Sequence, residues 1–305
     1  MQQRGRRSEP SAWLGLGSRC GVEILLARDM GFCWGVRRAI DMMEKAAQER
    51  GRIISLGPVV HNPQVVASLG EKGVQVANDL ESVDGAPVAI TAHGVGPTVL
   101  EEAHSRDLDV VDTTCPIVTR SQRWARKLAE NGFTVIVYGD ADHREVMGVL
   151  SWAGKRGFAL TEDNLDSLPE KLSSRVAVIS QTTQSPARFA AFVARLLERW
   201  LDHINELRVI NTLCGVTANQ QTAAQELAQE VDLMLVIGGR NSANTRHLVE
   251  VCQQEGVQTH HIETAAELEA NWFDGRERVG VTAGASTPDS AVEAVVRRIQ
   301  ELVKG

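Results

Sequence analysis

The feature that most constrains this chain is a weak internal repeat in which a β-rich run passes straight into a cysteine and then into a helical pattern. It occurs three times: EILLARDMGFCWGVRRAI around Cys33, LDVVDTTCPIVTRSQRWA around Cys115, and LRVINTLCGVTANQQTAA around Cys214. Cys115 lies 82 residues after Cys33, and Cys214 lies 99 residues after Cys115, each interval sized for one small α/β lobe. In open α/β sheets ligands gather outside the carboxyl ends of the strands. Three lobes meeting at those ends would therefore bring the three sulfurs to one place.

The pattern between the cysteines agrees. Near-continuous apolar runs, such as Val22–Arg28, Val88–Ala92, Leu108–Asp112, Phe133–Gly139, Arg175–Gln181, Leu207–Asn211, Val231–Gly239 and Arg278–Thr282, read as strands covered on both faces. They alternate with amphipathic helices. In Ser185–Asp202, Phe189, Phe192, Val193, Leu196 and Leu197 share one face behind Pro186; the last helix opens at Pro288 and buries Val292, Val295, Val296 and Ile299. The predicted fold is α/β, with three small parallel-sheet lobes in pseudo-threefold arrangement. The expected divisions are a flexible N-terminal extension over 1–21, lobes at 22–114, 115–211 and 212–285, and a C-terminal helix over 286–305 returning to the first lobe.

Charge and hydropathy narrow the class. With 32 Lys+Arg against 39 Asp+Glu the formal net charge is −7, which argues against a general nucleic-acid or anionic-membrane binder. No apolar stretch is long enough to span a bilayer. The piece after Arg4, Arg6 and Arg7 is too short for a signal-peptide core, so a cytoplasmic location is expected. The five cysteines are odd in number and include no CxxC pair, which disfavours a disulfide framework. Cys20 in the tail and Cys252 in the helical HLVEVCQQ look like bystanders.

Three convergent thiolates suit a soft metal centre, either zinc or an iron–sulfur cluster. A three-cysteine 4Fe–4S cluster leaves one iron free to act as a Lewis acid. Around the same strand ends stand His61 in VVHNP, His93 in TAHGV, His143 in DADHREV, Thr182 in SQTTQ, Ser242 and Asn244 in GGRNSANT, and Ser286 in TAGASTPD. Any one of these has a plain reading as a helix cap or a solvated loop residue. Together, next to helix N-termini, they suit a phosphate or diphosphate. Glu145, two residues beyond His143, is either a first-turn acid favoured by the helix dipole or a proton donor near the centre. No strand-borne dinucleotide fingerprint and no Walker loop are present, so electrons would come from a separate protein.

The ordered set GFCWGV, VVHNP, TAHGV, DTTCP, HREV, SQTTQ, a third-lobe cysteine, GGRNSANT and TAGASTPD resembles the 4-hydroxy-3-methylbut-2-enyl diphosphate reductases (IspH/LytB) over residues 22 to about 303. The resemblance implies a 4Fe–4S cluster on Cys33, Cys115 and Cys214, whose open iron takes the substrate hydroxyl. It places the diphosphate on His61, His93, His143, Ser242, Asn244 and Ser286, puts Thr182 beside the hydroxymethyl group, and makes Glu145 the proton donor. It implies ferredoxin or flavodoxin as electron donor, and isopentenyl and dimethylallyl diphosphate as products of the last step of the methylerythritol phosphate isoprenoid pathway. Departures from the family pattern are Ala243 where a second Ser is often found, Arg144 where Pro is common, GVTANQQ after the third cysteine, and Trp34 in place of a smaller residue. Competing readings are a three-cysteine 4Fe–4S dehydratase of the quinolinate synthase type and a non-catalytic iron–sulfur redox sensor.

Overall fold

The computed structural model describes residues 15–16, 21–168 and 173–304; Cys20 and most of the tail read as an extension lie outside the described residues. Its strands are β1 (Gly15–Leu16), β2 (Glu23–Leu26), β3 (Ile53–Leu56), β4 (Val74–Ala77), β5 (Val88–Ile90), β6 (Val110–Asp112), β7 (Thr134–Tyr138), β8 (Gly157–Leu160), β9 (Arg175–Ser180), β10 (Glu206–Val209), β11 (Leu233–Ile237), β12 (Gln258–Ile262) and β13 (Arg278–Ala283). Its α-helices are α1 (Trp34–Arg50), α2 (Pro63–Glu71), α3 (Pro97–Ser105), α4 (Pro116–Glu130), α5 (Arg144–Ala153), α6 (Pro186–Trp200), α7 (Gly215–Ala228), α8 (Ala243–Gln254) and α9 (Asp289–Lys304).

The strands form three sheets, ordered β4-β3-β5-β6, β10-β9-β7-β8 and β1-β2-β13-β11-β12. Every pairing is parallel except β1 with β2, where Gly15 and Leu16 of the expected loose extension pair antiparallel with Leu25 and Ile24. Central strands such as β7 and β11 are buried along their whole length, as parallel strands sandwiched between helices must be.

Two sheet memberships differ from the divisions drawn on the sequence. β2 pairs with β13 and so belongs to the sheet of the third lobe. The C-terminal helix also stays with that sheet: Val292, Val295, Val296 and Ile299 pack on Ile24, Leu233, Leu235, Val279 and Val281. A helix that follows β13 directly buries its apolar stripe on the sheet β13 has just joined, where a continuous apolar surface is waiting.

This membership explains where the cysteines lie. β2 is in the third sheet, but α1 buries Ala39, Met43, Ala46 and Ala47 against the first lobe. β6 is in the first sheet, but α4 buries Ala125 and Leu128 against the second lobe. β10 is in the second sheet, but α7 buries Ala223, Ala224, Leu227 and Ala228 against the third lobe. Cys33, Cys115 and Cys214 are the N-cap residues of these three helices, so each stands where the chain leaves one lobe for the next. A chain with three crossovers around one axis passes that axis three times.

Each crossover helix also ties the exit of its own lobe. Arg38 of α1 donates to the carbonyls of Thr113 and Thr114 just before Cys115, at 3.4 and 3.2 Å. Arg120 of α4 donates to the Asn211 carbonyl before Cys214 at 3.1 Å. Gln220 of α7 donates to the Gly31 carbonyl before Cys33 at 2.9 Å. The result is a closed ring of three clasps around the sulfurs.

Candidate active site

One cavity is lined by all three cysteines together with His61, His93, His143, Glu145, Thr182, Ser242, Asn244 and Ser286. Every residue that the sequence singled out for chemistry is therefore brought to a single place. Six helices begin around it: α1, α4 and α7 behind the cysteines, α2 just after His61, α5 behind its N-cap His143, and α8 behind its N-cap Ser242. Their unpaired N–H groups and positive dipole ends favour anions, whether thiolates or phosphate oxygens.

The sulfurs crowd together. Gly35, in the first turn of α1, is buried so closely that a Cβ there would lie 2.8 Å from Cys115 Sγ and 3.9 Å from Cys33 Sγ. A side chain at 35 would fill the space between the two. Burial pushes the Cys33 thiol up, opposed by the Val36 N–H donating to its sulfur at 3.4 Å and reinforced by Cys115 and Cys214. Burial likewise raises Cys115, against the N–H groups of Ile117 and Val118, with Cys214 and Glu145 adding to the rise. Thiols gathered this way resist ionising side by side, and a bound cation would reverse that balance. Cys252 differs: it is fully buried in the apolar core of the third lobe, and desolvation pushes it up to about 12.

A second part of the lining is a histidine cluster. Ring centroids lie 4.6 Å apart for His61 and His93, 5.3 Å for His61 and His143, and 5.5 Å for His93 and His143. All three are held neutral, chiefly by burial. His143 falls to about 4, helped down by His61 and Arg246 and opposed by Asp140. His61 is lowered further by Arg144 and Arg246, and His93 by its two neighbours and Arg144. The Glu145 N–H donates to His143 Nδ1 at 3.2 Å, so that nitrogen is the acceptor and Nε2 carries the proton. His61 Nε2 and Ser286 Oγ are buried without a partner among the described residues, the state of groups suited to take a ligand.

Asn244 donates Nδ2 to Gln220 Oε1 at 3.1 Å and leaves its own Oδ1 unpartnered. Presenting Nδ2 to an anion instead requires its amide to turn and Gln220 to follow. Gln220 thus joins the cavity wall to the Cys33 loop, a role its place mid-helix in TANQQ gives no sign of. Among the described residues no Lys or Arg lines the cavity.

Glu145 is 2% exposed, and its carboxylate accepts two hydrogen bonds from Thr182: the N–H at 2.7 Å to Oε1 and the hydroxyl at 2.8 Å to Oε2. Burial drives its carboxyl up to about 7 in spite of those donors, so near neutrality it can hold and release a proton. Of the departures from the family pattern, Ala243 lines the cavity, Arg144 turns away to lie beside Gly57, and Trp34 points outward with 62% of its surface exposed.

Three half-buried cysteines at lobe crossovers, facing neutral imidazoles and a protonatable carboxyl across one cavity, define an α/β protein of three parallel-sheet lobes closed around a shared site. A family model described as LytB protein matches residues 24–300, and the chain belongs to that family. Among curated relatives, the 4-hydroxy-3-methylbut-2-enyl diphosphate reductase of Dehalococcoides mccartyi (strain CBDB1) is 46% identical over 285 residues, 93% of this chain and all of its own length. The same-named protein of Geobacter sulfurreducens is 47% identical over 281 residues, 92% of this chain and 98% of its own. Among solved structures, the E-1-hydroxy-2-methyl-but-2-enyl-4-diphosphate reductase of Plasmodium falciparum superposes with a TM-score of 0.84 at 28% identity, over 90% of this chain and 86% of its own. A second, a (E)-4-hydroxy-3-methyl-but-2-enyl diphosphate reductase called the terminal enzyme of the non-mevalonate pathway, gives 0.67 at 37% identity, over 91% and 99%. The relatives favour neither the dehydratase nor the sensor alternative. No helix among the described residues is long and apolar enough to cross a membrane.

Proposed function

We propose that this chain reductively dehydroxylates (E)-4-hydroxy-3-methylbut-2-enyl diphosphate at a 4Fe–4S cluster held by Cys33, Cys115 and Cys214. The observation that carries the reading is the meeting of these three crossover cysteines on one cavity whose other wall is donors without cations. The residues fit such a group: all are thiols on helix N-termini, and Gly35 leaves open the space between two of them. When bound, the cluster would supply electrons and a Lewis-acidic iron for the substrate oxygen.

The chain's own residues do the rest. His61, His93 and His143 present N–H donors to the diphosphate, joined by Ser286 and Ser242 and, once its amide turns, by Asn244. Because the three imidazoles start neutral, anion binding raises their proton affinity and strengthens the donors at the moment of binding. Thr182 holds Glu145 by two hydrogen bonds and orients its carboxyl toward the substrate hydroxymethyl group. Glu145 delivers the proton that lets the C–O bond break and water leave. Two electrons and two protons are consumed per product, giving isopentenyl or dimethylallyl diphosphate. The electrons come from ferredoxin or flavodoxin.

The test is anaerobic reconstitution with iron and sulfide, followed by turnover with reduced methyl viologen and mass analysis of the products. The reading requires both five-carbon diphosphates to form in an iron-dependent way. Iron-loaded protein that leaves the substrate intact would refute it.

A further inference from the structure

Two electrons must enter the cavity for each turnover, and the first residues of the crossover helices show where. Trp34, which follows Cys33, is 62% exposed, and Val216, two residues after Cys214, is 44% exposed. Pro116, which follows Cys115, is exposed as well. Exposed apolar side chains at three helix starts around one centre, the large ones being Trp34 and Val216, form an apolar rim, and a Trp so exposed invites a partner.

The rim has a charged border. Along α4, Arg120, Arg123 and Lys127 recur at three- and four-residue spacing, on one exposed face that begins one turn from Cys115. None of the three is in a salt bridge among the described residues; on this helix the acid Glu130 is taken by Arg126. Arg38 of α1 and Arg120 spend their donors on backbone carbonyls, which leaves their charge uncompensated. Arg37 is balanced by Asp289 at 3.0 Å, Asp41 stands exposed three residues beyond Arg38 on the same helix, and Asp112 is bonded to Thr114. On a chain of net charge −7, this is a locally basic face beside the cysteines.

We propose that this face docks a small acidic one-electron carrier protein of the ferredoxin type. Trp34 and Val216 form the contact, and Arg38, Arg120, Arg123 and Lys127 steer the approach. The proposal rests on the reductase reading above. Two reduced carriers are oxidised in turn for each C–O bond broken, and the two protons taken up leave with the water and in the product.

The experiment compares the iron-loaded parent with Arg123→Glu/Lys127→Glu and with Trp34→Ala. Calorimetric titration with an oxidised acidic ferredoxin reads binding, and turnover is followed with reduced ferredoxin and with reduced methyl viologen, a small cation that needs no docking face. The double variant is expected to weaken ferredoxin binding about tenfold or more at low salt, with the difference shrinking as salt is added, and to keep viologen-driven turnover within about twofold. Trp34→Ala is expected to weaken binding by a similar factor with little change in its salt dependence. Unchanged ferredoxin affinity in both variants overturns the proposal. So does sedimentation showing the parent as a dimer that Trp34→Ala dissociates, because the face would then belong to a second copy. A parent with normal iron content and no viologen-driven turnover removes the reductase reading, and the proposal with it.

Discussion

The two walls of the cavity were built by different rules. The sulfur wall is cyclic: each lobe contributes one N-cap cysteine and one clasp, from Arg38, Arg120 or Gln220, to the next crossover loop. The anion wall is not. The first lobe contributes His61 and His93, the second His143 and Glu145, and the third only small hydroxyl and amide groups, Ser242, Asn244 and Ser286. A metal centre wants equivalent ligands in equivalent places, which repetition supplies. An extended diphosphate ending in an allylic alcohol has two unlike ends, and holding it in one direction requires the lobes to differ.

The sharpest way to break this contrast is to compare cysteines. Cys115→Ser is expected to remove most of the iron and the visible absorbance and to drop turnover by three orders of magnitude or more, roughly the scale of losing an essential unit. Cys252→Ser is expected to leave iron content and turnover intact and to cost about 1–2 kcal/mol of stability for a hydroxyl in an apolar core, read by denaturant unfolding. Equal losses in the two would dissolve the distinction between crossover and core sulfurs.

Next comes Glu145→Gln, with an expected fall in kcat of about 10²–10⁴-fold at unchanged iron content, the usual range for losing a positioned acid. Its pH signature follows from its sign. The carboxyl is raised to about 7, so it is protonated below that pH and ionised above it. Turnover that needs its proton falls as pH rises through that value, and bound diphosphate, itself negative, moves the descending limb further up. The limb is absent from the Glu145→Gln profile if Glu145 is its source.

How much of this could be read in the chain depended on the wall. The sulfur wall was visible as a repeat, because three strand–cysteine–helix passages leave the same local pattern. The wall proposed to hold the anion was brought together from the resemblance of ordered motifs, since a loop histidine has no signal of its own. The strands β3, β4, β8 and β12 were not named from the sequence, and burial alone does not separate them from those that were: β3 is buried along its length, while the named edge strands β6 and β10 are as uncovered as β4. The placement of β2 in the third sheet was hidden for another reason: parallel pairing across 255 residues, Glu23 with Arg278, leaves no local trace. Gln220 was overlooked because a buried polar residue inside a helix is identified only by what it bonds across lobes.

A smaller effect probes the histidines. With burial as the main cause of their depression, His61, His93 and His143 enter the reaction neutral, with His143 near 4. The charges around them are Arg144, Arg246 and Asp140, and a diphosphate bound among the rings outweighs these. Calorimetry in buffers of different ionisation enthalpy is therefore expected to show net proton uptake on binding between about pH 6 and 7, and affinity that rises as pH falls. Proton release would mean that the imidazoles are already charged.

The smallest change is Ala243→Ser. A hydroxyl in the first turn of α8, at the cavity wall, adds one donor worth about 0.5–1.5 kcal/mol. The Kd for the diphosphate is expected to fall by a few-fold, with kcat unmoved.

The claim on which the rest depends is that three sulfurs from three crossovers hold one cluster and leave one iron for the ligand. Mössbauer spectra of protein reconstituted with ⁵⁷Fe test it directly. The expected result is one iron in about four standing apart from the others, its signal moving when the diphosphate substrate is added and the rest staying put. Four equivalent irons that ignore the substrate would contradict it.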